Sequence, residues 1–255
     1  MMGCLFTFSA APTPVPPTPT VTPPPSTEEA SIEEWQTLAE GLALKMIVPV
    51  DNAFGQLLVL RIDPTLYAFR VHYRPGAPLS TSGWSAELPE AVAFINANFF
   101  DRQHNILGLL VADGVVYGTP YTDRGGMFAI QDGQPVIRSN VESPYQGEAL
   151  EQAVQAFPLL VFDGVQTYTT LRGDRATRRT IIAQDADGNV LLIAAPLVGM
   201  RLADTAAYLL ETDLEIVHAL NLDGGGSTMM AVQDDEPFVI SSFDRVPAVL
   251  AVYPR

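Results

Sequence analysis

The sequence holds one cysteine in 255 residues, Cys4, which excludes an intrachain disulfide framework and any structural zinc site built on several thiolates. Lysine is equally scarce, since every one of the 14 basic residues except Lys45 is an arginine. Three histidines, His72, His104 and His218, show no His-Glu-x-x-His spacing, so a histidine-based zinc site is not expected either. Positive charge is short overall. Against 29 acidic residues the net charge is -15, and a chain that binds nucleic acid needs a basic face for the phosphate backbone. No apolar run approaches the roughly 20 residues of a membrane span. No cofactor and no metal are called for by what remains.

Charge is missing altogether from residues 1–27, and Ala11 to Thr27 is almost entirely Pro, Thr, Val and Ser. Such a segment cannot bury a core and reads as an extended spacer. Gly3-Cys4 ahead of it has the form of the end of a bacterial lipoprotein signal, with Cys4 as the acylated residue and the lipid anchor to a membrane. That form implies an extracytoplasmic, cell-surface location; a cytosolic protein with a disordered tail is the alternative. Residues 28–255, rich enough in apolar side chains for a sizeable core, are expected to form one domain.

Along that domain, Ile32, Trp35, Leu38, Ala39 and Leu42 fall at helical spacing behind Ser31 and Glu34, a capping-box pattern that predicts a helix over Ile32 to Leu44. Leu57 to Ile62 reads as a buried strand and Leu66 to Tyr73 as an alternating one, joined at Asp63-Pro64. A loop is expected around Trp84. Ala91 to Ile95 is an apolar strand that ends in Asn96-Ala97-Asn98-Phe99-Phe100-Asp101. Asp113-Gly114, Asp132-Gly133, Asp163-Gly164 and Asp187-Gly188 each separate apolar runs, which is a hairpin signal. Leu202 to Leu214 carries an apolar helical face, and Val246 to Tyr253 closes the chain as a strand. Strands outnumber helices, so the expected class is α+β, one domain with a mixed, largely antiparallel sheet core.

Three polar clusters stand where strands end. The first is Asn96 to Asp101. Arg172 to Thr180 gathers four arginines in an acidic chain, and Arg178 and Arg179 suit an anionic group because a guanidinium binds phosphate bidentately and keeps its charge. In the third, the strand Ile216 to Leu222 runs into Asn221, Asp223, Gly224, Gly225, Gly226, Ser227 and Thr228. Glycines without Cβ let a ligand approach a nest of backbone N–H groups. The frame around Ser227 lacks the second glycine of a nucleophile elbow, and the glycine run lacks the lysine of a phosphate loop.

The stretch Asn221-Leu222-Asp223-Gly224-Gly225-Gly226-Ser227-Thr228-Met229 resembles the signature of the phosphodiester glycosidase family. Asn96-Ala97-Asn98-Phe99-Phe100 is similar to its Asn-Gly-Gly-Phe-Phe type motif and Arg179-Thr180 to its Arg-Thr at a strand start; Gly108 to Gly114 and Arg245 to Tyr253 also fit. The chain departs from the pattern at Ala97 and Asn98, and at Pro196-Leu197-Val198-Gly199-Met200, where the family has a more polar loop. The resemblance implies hydrolysis of the glycosidic bond of a sugar-1-phosphodiester, on an envelope or extracellular glycan. In that reading Asp223, Arg179 and Asp101 are catalytic. Asn96, Asn98, Arg178, Thr180, Asn221, Gly224, Gly225, Gly226, Ser227 and Thr228 bind a sugar-phosphate or phosphorylated glycan. Two alternatives stay open: a non-catalytic surface module that binds phosphorylated glycans, and a phosphodiesterase that cuts the P–O bond.

Overall fold

Short apolar runs become strands throughout residues 34–234 and 237–255, the part of the chain described by the computed structural model. In chain order the elements are β1 (Gln36–Ala39), β2 (Leu42–Ile47), β3 (Leu57–Ile62), β4 (Tyr67–Tyr73), α1 (Thr81–Glu87), β5 (Ala93–Asn96), β6 (Leu109–Ala112), β7 (Val115–Gly118), β8 (Gly126–Gln131) and β9 (Gln134–Ser139). They continue with β10 (Gln152–Ala156), β11 (Leu159–Phe162), β12 (Val165–Gln166), β13 (Arg179–Asp185), β14 (Val190–Ala195), α2 (Leu202–Glu211), β15 (Ile216–Asn221), β16 (Met230–Val232), β17 (Phe238–Ile240) and β18 (Ala248–Pro254).

These strands form three sheets, with orders β1-β2-β3-β14-β13-β15-β11-β12, β7-β6-β10-β8-β9 and β17-β16-β5-β18-β4. Every strand pairing among the described residues is antiparallel. The expected antiparallel pairing and scarcity of helix are both found; the sheets are antiparallel throughout rather than mixed, and with two short α-helices among the described residues the fold is largely β rather than α+β. One face of each sheet meets a shared core: Leu58, Leu60, Ile182 and Leu220 from the first, Leu110, Phe128 and Val154 from the second, and Phe69, Ile95 and Leu250 from the third. Each such side chain contributes about 1.5–3 kcal/mol on burial. The opposite face of the first sheet is covered by α2 through Leu202, Ala206 and Leu209, and that of the third by α1 through Trp84.

Three of the four Asp-Gly pairs are hairpin turns with both residues left-handed, at Asp113-Gly114, Asp132-Gly133 and Asp163-Gly164, as a two-residue I′ turn requires. At the fourth only Gly188 has positive φ, and the Asp185 carboxylate, accepting from the Asp187 and Asn189 amides, shapes the turn. Two expectations fail. Residues 36–47 are a hairpin rather than a helix, turning at Gly41, whose φ is 70°; the apolar spacing that suggested a helix also fits strands, and β2 is buried on both faces. Ser31 and Ile32 lie outside the described residues, as do Cys4 and the Pro/Thr-rich spacer. The segment around Trp84 is a helix, α1, because the Ser80 hydroxyl accepts from the Gly83 amide and caps it.

The glycine run lies on a connection between two sheets. The chain leaves the first sheet at Asn221, the end of β15, and enters the third at Met230, the start of β16. Residues 222–229 make the crossing.

Candidate active site

The crossing runs against the entry to β13. The Leu222 amide donates to the Thr180 carbonyl at 2.8 Å and the Gly225 amide to the Arg178 carbonyl at 2.9 Å. Each glycine of the run answers to a separate need. A Cβ at Gly224 would stand 2.9 Å from the Arg178 carbonyl oxygen, Gly225 has φ +63°, and a Cβ at Gly226 would fall onto the Asp244 carboxylate. The amides of Gly224 and Gly225 are engaged inside the protein, on the Asp223 carboxylate and the Arg178 carbonyl. Those two amides are therefore not available to the expected nest of backbone N–H groups.

Asp223 begins the run, recessed but not sealed from solvent. Its Oδ1 accepts from the Gly224 amide at 2.9 Å and the carboxylate accepts from the Ser227 hydroxyl as well. Burial, with the charge of Asp244 adding to it, outweighs these donors and pushes the Asp223 carboxyl from its ordinary 3.8 up to about 6. A carboxyl so placed changes protonation close to neutral pH, the property expected of a group that exchanges protons with a substrate. Ser227 is a positioning residue for Asp223 in this arrangement.

Asn96, at the end of β5, is completely buried and ties the three clusters together. Its Nδ2 donates to the Asp223 carbonyl at 2.6 Å, and its Oδ1 accepts from the Thr180 hydroxyl at 2.7 Å and the Met229 amide at 3.0 Å. Its side-chain amide is thereby spent on the scaffold, and so is Thr180's hydroxyl. Asn98 is likewise committed, donating to the Leu109 and Gln155 carbonyls at 2.8 and 3.0 Å. Asn221 donates to the Phe157 carbonyl at 2.9 Å. These donors join the strand ends to their neighbours; Asn98 Oδ1 and Asn221 Oδ1 have no partner among the described residues, nor does Thr228 Oγ1.

The two arginines diverge. Arg178 is buried, donates through Nη2 to the Thr228 and Ser241 carbonyls at 3.0 and 2.8 Å, and lies 4.4 Å from the ring centre of Phe243. Its Nε and Nη1 have no hydrogen-bond partner among the described residues. Arg179 instead pairs with Asp174 at 3.1 Å and donates to the Arg175 carbonyl at 2.6 Å. Asp174 also accepts from the Leu202 and Ala203 amides at 3.1 and 3.0 Å. It caps α2, whose own N-cap Arg201 supplies no side-chain acceptor. Burial lowers both guanidinium groups from their ordinary value, yet arginine at this level stays charged.

Asp101 stands apart. Its exposed carboxylate accepts from the Gln103 and Asn105 amides and from Asn105 Nδ2, at 2.8, 2.9 and 3.0 Å, which hold it below its ordinary range. It closes its own turn. Asp244 and Phe243 were not anticipated. Their amides both donate to the Gly226 carbonyl, at 3.0 and 2.7 Å, which sets Asp244 beside Asp223 and Phe243 over Arg178. The available signal was their place in a polar stretch directly before the Arg245 to Tyr253 strand segment. Among the described residues no group of three or more His, Cys, Asp or Glu is arranged to hold a metal ion.

The family model described as Phosphodiester glycosidase matches residues 89–253, which takes in all three polar clusters. No curated protein matches the chain. Among solved structures, a hypothetical protein from Synechocystis superposes with a TM-score of 0.64 at 16% identity, over 87% of this chain. This chain spans 64% of that protein's length. The catalytic domain of zebrafish N-acetylglucosamine-1-phosphodiester α-N-acetylglucosaminidase, in a form auto-inhibited by its pro-peptide, gives 0.60 at 16% identity, over 84% of this chain and 82% of that one. A Burkholderia pseudomallei protein described as a "putative exported protein" gives 0.57 at 15%, over 84% and 74%. At these identities the likeness is one of fold.

Proposed function

This chain belongs to the phosphodiester glycosidase family, and on that premise we propose that it hydrolyses the glycosidic bond of a sugar-1-phosphodiester, with Asp223 as the reacting carboxylate. The observation that carries the reading is the state of Asp223: recessed at the junction of two sheets, held by Ser227 and Gly224, and lifted to about 6. Water adds to the anomeric carbon as the bond between C1 and the phosphate oxygen breaks. The ionised Asp223 takes the proton from that water, and the bonding pair leaves on the phosphomonoester. A phosphomonoester has a second acid constant near 6, so it departs without a strong general acid, and positioning and electrostatics dominate. Arg179, the less buried of the two arginines, supplies positive charge toward the departing phosphate, while Arg178, turned the other way, braces the crossing through the Thr228 and Ser241 carbonyls. Asp101, turned onto its own loop, is left out of the mechanism.

Asp223→Asn is expected to abolish release of sugar from a UDP-sugar or a nitrophenyl phosphodiester analogue while the fold is kept. Full turnover by that variant would remove Asp223 from the reaction. Hydrolysis in oxygen-18 water puts the label in the sugar if C1–O breaks and in the phosphate if P–O breaks, and label in the phosphate would favour the phosphodiesterase reading instead. Gly3-Cys4 and the uncharged spacer behind it support a location outside the cytoplasm. Among the described residues no helix is long and apolar enough to cross a membrane.

A further inference from the structure

Beside the entry to β13 the first sheet presents a second kind of surface. Arg179 pairs with Ala195, the last residue of β14, so the loop Pro196 to Met200 begins one strand away from the arginine. The loop between β2 and β3, which is neighbour to β14 through β3, lies against it. Asn52 Nδ2 donates to the Gly199 carbonyl at 2.8 Å, and Gly199 packs so closely on Phe54 that a Cβ there would overlap the Phe54 carbonyl. The two loops interlock and hold four apolar side chains outward: Val50, Leu197, Phe54 at 69% exposure and Val198 at 62%. Residues 195–200 carry no charge and residues 47–56 only Asp51, in a chain of net charge -15.

A nearly uncharged, apolar rim continuous with the strand end that carries the arginines has a use in a phosphodiester site, since such a substrate extends in two directions from its phosphorus. Resting on the glycosidase reading, we infer that the substrate's leaving side is a hydrophobic alcohol, a phosphodiester of a sugar with a long alkyl or prenyl chain, and that the chain lies along Phe54, Leu197 and Val198. Apolar contact there favours long chains over short ones by removing hydrocarbon from water, and it sets specificity without touching the reacting atoms.

The test uses one sugar-1-phosphodiester with methyl, butyl and octyl aglycones, and, separately, calorimetric binding of methyl, butyl and octyl phosphate to the same protein. Wild type is expected to show kcat/KM roughly tenfold or more higher for octyl than for methyl, and a parallel gain in alkyl phosphate affinity. Phe54→Ser and Val198→Ser bring both ratios toward one, whereas Val115→Ser, an exposed apolar residue of β7, keeps them. Turnover of all three diesters at equal kcat/KM overturns the rim and leaves the glycosidase reading standing. Chain-length-dependent binding without any turnover does the reverse. Sedimentation that shows a wild-type dimer split by Val198→Ser assigns the rim to a second copy and overturns the inference, as does the absence of both turnover and binding.

Discussion

Replacing Asp223 with asparagine is expected to stabilise the folded protein, and to do so only at high pH. The carboxyl is lifted from 3.8 to about 6, chiefly because burial penalises its charge and secondarily because Asp244 faces it. At about 1.4 kcal/mol for each tenfold change in acidity, keeping Asp223 ionised costs the fold about 3 kcal/mol once the pH is above 6. The folded state holds this proton more tightly than the unfolded one, so wild-type stability from this group falls as pH rises from about 4 to about 6. Below that window both states are protonated and the penalty is absent. Asparagine keeps an oxygen for the Gly224 amide and never ionises. The stability difference between variant and wild type is therefore near zero at pH 4 and grows to about 3 kcal/mol in the variant's favour at pH 8. Urea denaturation at each pH measures it, and groups common to both proteins cancel in the difference. A difference that stays constant with pH, or that shrinks as pH rises, refutes the reasoning.

If, as proposed, the ionised Asp223 is the reacting form, kcat/KM for a nitrophenyl phosphodiester is expected to climb with pH and level off above a midpoint near 6; a flat profile from pH 5 to 8 contradicts that role. Asp174→Ala removes the partner of Arg179 and the cap of α2 together, and is expected to cost about 4 kcal/mol. Adding Arg179→Met should recover part of the loss in thermal denaturation, since the stranded buried charge goes with it. Gly226→Ala puts a methyl onto the Asp244 carboxylate and lowers the melting temperature; the double variant with Asp244→Ala regains most of it, and no regain would mean that the clash lies elsewhere.

The strands were largely legible because their apolar runs are short and the turns between them are marked. Leu57 to Ile62 is a strand with those same bounds, and Leu202 opens α2 as its apolar face indicated. Failures came where local pattern and tertiary packing differ. Leu38 and Leu42 satisfy a helical spacing, but Gly41 turns the backbone between them. Thr-Ser-Gly-Trp-Ser-Ala-Glu holds few strong helix formers, and α1 exists because Ser80 caps it and Trp84 is buried beneath. The polar clusters could be found from residue type, whereas the direction of each side chain could not. Arg178 and Arg179 adjoin in sequence and, entering a strand, turn to opposite faces: one toward Thr228, Ser241 and Phe243, the other toward Asp174 and α2. The side-chain Nδ2 groups of Asn96 and Asn98 brace the strand ends, a direction that residue type alone does not give.

The glycine run itself changes meaning once its neighbours are known. As sequence it suggests an anion held by free amides; as structure, two of those amides are spent and the missing side chains are what count. Without a Cβ at Gly224 the crossing lies against the Arg178 carbonyl, and without one at Gly226 the Asp244 carboxylate settles beside Asp223. Bringing a second negative charge to a recessed carboxyl raises its affinity for a proton. The glycines thus act on Asp223 indirectly, by permitting the approach of Asp244, whose charge adds a smaller upward push to the larger one that burial exerts on the Asp223 carboxyl. The Asp-Gly-Gly-Gly-Ser element is accordingly a way of recessing one carboxyl at a tight crossing, with Asp244 close by and Ser227 as a donor to it.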